Sequence, residues 1–116
     1  MTVRRMKTYT GQTGYVYQYY FVGQRQALNE VATEFIFDVT SDRKTTFSVS
    51  VFLLQRAIEQ WQQQHGRTLV DAEHYASAKM RLFHAFDEID NMLADGRRLL
   101  IGPEEMEDLL ATLGVD

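Results

Sequence analysis

TEFIFDVTSDRKTTFSVSVFLLQRAIEQW, residues 33–61, is the stretch whose reading decides the fold class. Phe35, Phe37 and Val39 alternate with Glu34, Ile36 and Asp38. After the charged turn Ser41-Asp42-Arg43-Lys44, Phe47, Val49, Val51 and Leu53 share one face, with Thr46, Ser48 and Ser50 on the other. Alternation with period two marks a strand with one side buried, so the two segments read as a β-hairpin covered on one face. The period then changes. Leu54, Ala57, Ile58 and Trp61 recur at helical spacing, and a strand runs directly into a helix.

Working outward, Tyr15-Val16-Tyr17-Gln18-Tyr19-Tyr20-Phe21-Val22 has the strongest strand composition in the chain. Gly11-Gln12-Thr13-Gly14 before it reads as a turn, and residues 1–10 as an arm, flexible or paired to a sheet edge. The segment from Gly23 to Asn29 reads as the connection to the strand beginning near Val31. The helix opening at Leu54 is expected to stop at His65-Gly66, and Thr68 or Asp71 to cap the next. Tyr75, Ala78, Leu82, Phe86, Ile89 and Leu93 then form one stripe about five turns long, ended by Asp95-Gly96. Residues 97–101 read as a short strand or a connector. Gly102-Pro103-Glu104-Glu105 starts a last helix faced by Met106, Leu109, Leu110 and Leu113.

The expected architecture is one α+β domain over 1–116. It has an arm at 1–10, a sheet at 15–53, two helices at 54–95 and a C-terminal helix at 103–113. The sheet is expected to be an antiparallel meander of three strands, or four if 97–101 pairs, with helices on one face.

Composition bounds the function. The 116 residues are 45% hydrophobic and 24% charged, as in a soluble domain able to bury a core. There is no cysteine, which removes disulfides, thiol nucleophiles and thiolate metal sites. No apolar run reaches membrane-span length, and the basic start is followed by no signal-like apolar segment, so no membrane partner is expected and the cytoplasm is the default location. Residues 1–53 hold six Lys/Arg against four Asp/Glu, and residues 54–116 six against twelve.

Three groups of residues are candidates for chemistry. Tyr15, Tyr17, Tyr19 and Phe21 lie on one face of their strand and are the candidate interaction residues. Tyrosine joins a large apolar body to a polar tip, which suits a core or a dimer surface. Set beside Arg4, Arg5, Lys7, Arg25, Arg43 and Lys44, the same aromatics raise nucleic-acid binding as the alternative. His84, Asp87, Glu88 and Asn91 share a helical face at spacings suited to a metal ligand set or an acid–base pair. No second element supplies matching ligands, and an exposed acidic helix face accounts for them. Phosphate-loop, dinucleotide, nucleophile-elbow and zinc-protease motifs are absent, so no catalytic residue, metal or cofactor is assigned. Trp61 is placed in the core. The expected function is non-enzymatic association with a protein partner, foremost a second copy of the chain, because residues 15–22 add more apolar surface than one thin sheet hides.

Overall fold

A mixed sheet with four helices is what the computed structural model shows, over described residues 5–28 and 31–116. The strands are β1 (Lys7–Thr10), β2 (Val16–Gln26), β3 (Ala32–Thr40), β4 (Phe47–Leu54) and β5 (Arg98–Ile101). The helices are α1 (Gln55–His65), α2 (Asp71–Glu88), α3 (Met92–Asp95) and α4 (Pro103–Thr112). The spatial order is β1-β2-β3-β4-β5; the first four strands pair antiparallel, and β5 lies parallel to β4.

This corrects the expected three- or four-stranded antiparallel meander. The arm contributes a strand: Lys7 pairs with Tyr19 and Thr10 with Val16. Residues 1–4 of the arm lie outside the described residues. Four residues are too few to display alternation, and what fixes them is non-local, since Tyr9 stacks on Phe83 at 4.4 Å between ring centroids. Strand β5 does form, but parallel, with Val51 opposite Leu99. A parallel neighbour needs a long crossover, and here α1, α2 and α3 supply it.

The 33–61 segment folds as its two periods dictate. Phe35, Phe37, Val39, Val49, Val51 and Leu53 are buried on one side of the sheet, with Phe37 opposite Val49. At the turn, Asp42 Oδ1 accepts the backbone N–H groups of Lys44 and Thr45, both at 2.8 Å. Helix α1 follows β4 without a linker and sets Ala57, Ile58 and Trp61 in the core. It stops at Gly66, whose φ of 69° is left-handed and favours glycine.

Two local expectations change. Neither Thr68 nor Asp71 caps α2. Val70 holds the cap position, and the Glu73 carboxylate turns back to accept its N–H at 3.0 Å. Glu73 is in turn gripped by Arg67 at 2.7 Å. The long stripe also ends early, because α2 stops at Glu88 and Ile89 is extended. Asn91 then caps α3 by accepting the Ala94 N–H at 3.1 Å, the local side-chain bond through which asparagine competes with helix continuation. Met92 turns inward, and Leu93 is 49% exposed.

The buried apolar side chains of all four helices join a single core against the Phe35–Phe37–Val49–Val51 side of the sheet. The molecule therefore has two layers, with the second sheet face outside that core.

Candidate interaction surface

Alternation puts Gln18, Tyr20, Arg25, Glu34, Ile36, Asp38, Ser50, Phe52, Arg98 and Leu100 on the second face, in the registers that pair Arg25 with Glu34, Ile36 with Ser50 and Phe52 with Leu100. A bulge between Phe21 and Gly23 inserts Val22 and lets β2 keep its register beyond it. No apolar side chain of a helix is buried against this face among the described residues.

At one end Ala27, Ala32 and Phe52 form a small second cluster, with Leu54 packed beside it. The Arg98 guanidinium lies over the Phe52 ring, 4.5 Å from its centroid, and Arg98 shares the face with the adjacent carboxylate of Glu34. Glu34 is 7% exposed although no helix among the described residues covers its face. Its two oxygens are both used: Arg25 Nε donates to Oε1 at 2.8 Å and Ser50 Oγ to Oε2 at 2.6 Å. These hydrogen bonds hold the Glu34 carboxyl below its ordinary value, the Arg25 bond being the larger cause and the Ser50 bond the next. A buried carboxylate supplied with two donors is satisfied and rigid.

Beyond this network single apolar side chains stand among Gln18, Tyr20 and Asp38. Val16, Val22 and Leu100 are 45%, 47% and 48% exposed, and Ile36 is half-buried between Gly23 and Ser50. The sequence signal for this patch is Ile36 itself, an apolar residue in the polar register of an alternating strand.

The candidate residues of the tyrosine strand are divided by the fold. Tyr17 and Tyr19 are each 4% exposed, within the core under α2. Tyr17 stacks on Phe86 at 4.3 Å, and Tyr19 meets Phe83 edge-on at 5.4 Å. Phe21 is half-buried against Tyr75 at 4.8 Å, and Tyr15 is exposed at the strand's start. The basic residues do not gather into one strip. Arg5 and Lys7 stand beside Tyr19 and Phe21, Arg25 is bound to Glu34, and Arg43 and Lys44 sit in the β3–β4 turn. Arg4 lies outside the described residues.

The helical constellation disperses as well. Asp87 faces the β1–β2 turn, accepting the Tyr9 hydroxyl at 2.6 Å and the Gln12 N–H at 2.9 Å. Asn91 is spent on the α3 cap, while His84 and Glu88 border a shallow cleft with Glu105 and Asp108 of α4. Among the described residues, no group of three or more His, Asp or Glu side chains is placed to hold a metal ion. Among them, too, no helix is long and apolar enough to cross a membrane. Trp61 is 2% exposed, stacked on His65 at 4.2 Å.

No family model, curated protein or solved structure compared with the chain matches it. The functional reading therefore rests on the geometry of these surfaces.

Proposed function

We propose that the protein works by association rather than catalysis, and that its partner is a second copy of the chain packed against the uncovered sheet face. The observation that carries this reading is Ile36. It lies midway along β3, the central strand, with Gly23 and Ser50 as small neighbours and no helix above it among the described residues. Sheets packed face to face sit about 10 Å apart, their inward side chains interdigitating, and an isoleucine flanked by a glycine and a serine offers a knob beside two shallow holes.

Size sets the strength. Three long strands and two short ones, at about 4.8 Å spacing and about 3.4 Å per residue, make a plane of roughly 600 Å². Two such faces bury about 1,200 Å² in all, at the lower end for a specific interface. The rigid Arg25–Glu34–Ser50 network is already satisfied within one chain, so packing against it leaves no carboxylate unpaired. The expected assembly is a reversible dimer that dissociates on dilution.

Light scattering over a concentration series tests this. The wild type should move from the 13.5 kDa chain mass toward twice that value. Ile36→Asp and Leu100→Asp should remain at the chain mass with unchanged circular dichroism. Tyr17 and Tyr19 are unsuitable probes, because a charge at either enters the core. A wild type that stays monomeric at the highest attainable concentration, or an Ile36→Asp variant that still dimerises, defeats the proposal.

A further inference from the structure

On the helical side of the sheet, where β1 begins, a cleft of about 170 Å³ opens between β2 and α2. Arg5, Lys7, Tyr19, Tyr20, Phe21 and Tyr75 line it. No acidic side chain is among them, on a chain whose formal net charge is −4. Lys79 stands behind the lining, its Nζ 5.8 Å from the Tyr19 ring centroid.

The Tyr19 and Tyr75 hydroxyls make no hydrogen bond among the described residues and neither is sealed from solvent, the buried side-chain polar atom without a partner there being Nε2 of His74. Both are therefore free to donate to a group entering the cleft from solvent. The two phenols are close enough to influence one another, and the Lys7 charge reaches Tyr19. Burial pushes both phenols above their ordinary value, so at neutral pH each is an O–H donor. The cleft thus presents a guanidinium, an ammonium and two phenol donors, with no carboxylate among the described residues that line it.

That set suits an acceptor-rich anion and repels a metal cation. A planar carboxylate has two oxygens to offer; a tetrahedral oxyanion has more, pointing in different directions. Arginine binds such groups in a fork, and lysine as a point charge. The volume is close to the roughly 150 Å³ that takes a single benzene, room for one phosphate group but not for a whole nucleotide.

We propose that this cleft is a binding site for the phosphate group of a ligand, held by Arg5, Lys7, Tyr19 and Tyr75, with the remainder of the ligand lying outside. The site is on the opposite side of the sheet from the self-association face and stands or falls independently of it.

The test is an NMR titration of tyrosine-labelled protein with three probes: inorganic phosphate, adenosine monophosphate and oligothymidylate. Saturable shifts of the Tyr19 and Tyr75 resonances are expected with inorganic phosphate in the millimolar range. Lys7→Ala should weaken binding about tenfold, the effect of losing one charged contact. Tyr19→Phe keeps the ring and removes only the donor, and should also weaken it. Similar affinity for phosphate and mononucleotide marks a small phosphorylated ligand, whereas tighter, salt-sensitive binding of oligothymidylate marks a polynucleotide backbone. The absence of saturable shifts with all three probes at tens of millimolar overturns the proposal. Unchanged affinity in Lys7→Ala, an exposed position whose substitution leaves the core intact, overturns it as well.

Discussion

Replacing Asp87 by asparagine separates a structural role from a chemical one. The carboxylate accepts the Tyr9 hydroxyl at 2.6 Å and the Gln12 N–H at 2.9 Å, and so ties the β1–β2 turn to the last turns of α2. The turn comes so close that a Cβ on Gly11 would sit 2.9 Å from Asp87 Oδ1. Asparagine keeps the shape and the bond to Gln12 but loses the charge, at a cost of about 1 kcal/mol. Alanine also leaves the half-buried Tyr9 hydroxyl without its acceptor and should cost about 2–3 kcal/mol. Urea denaturation of the three proteins measures both. A sharper readout is Tyr9 itself, whose pKa is raised to about 12, chiefly by the hydrogen bond to Asp87 and then by burial and the nearby charge. Because the folded value is raised, this contribution is complete below the ordinary tyrosine value of 10.0 and is lost as pH rises toward 12. At pH near 11, tyrosine NMR should show Tyr9 protonated in the wild type and largely ionised in Asp87→Asn. If Tyr9 titrates identically in both proteins and stability moves by less than about 0.5 kcal/mol, the clamp does not exist as described.

Two further outcomes follow from the same interactions. Glu34→Gln should lower stability at pH 7 by about 1 kcal/mol, a low figure because Arg25 is 60% exposed. The folded Glu34 value is depressed, so the difference from wild type is present above the ordinary value of 4.5 and fades as pH falls below it, which denaturation at several pH values will show. Phe86→Ala removes a ring that is 2% exposed and stacked on Tyr17 at 4.3 Å, and should cost about 3–5 kcal/mol in chemical denaturation.

What could be read along the chain was whatever repeats at short range. The β3–β4 hairpin, the change of period at Leu54 and the glycine stop at Gly66 each depend on neighbours a few residues away. The errors lie where distant residues decide. Strand β1 is held by Phe83 and Asp87, and β5 is ordered by its parallel partner across three helices. The stripe through Leu93 kept helical spacing past the point where Asn91 takes up the backbone, since an apolar pattern does not record a cap. At the candidate surface, strand alternation placed Ile36 correctly opposite Phe35 and Phe37. The division of the tyrosines was not legible, because it depends on where α2 lies over β2. Tyr19 belongs to both the core and the cleft, a double role that residue type alone does not reveal.

The parallel junction of β4 and β5 also bears on how the polypeptide matures on the ribosome. The meander can assemble as soon as Leu54 has emerged, but the strand that completes its far side arrives only after three helices have been made. Until Arg98–Ile101 docks, the outer backbone groups of Ser50–Leu53 have no strand partner, a ready template for the wrong neighbour. Closing so long a loop is slow compared with hairpin formation, so docking of the last strand is expected to come late in folding, with the nascent chain most prone to aggregate just before it.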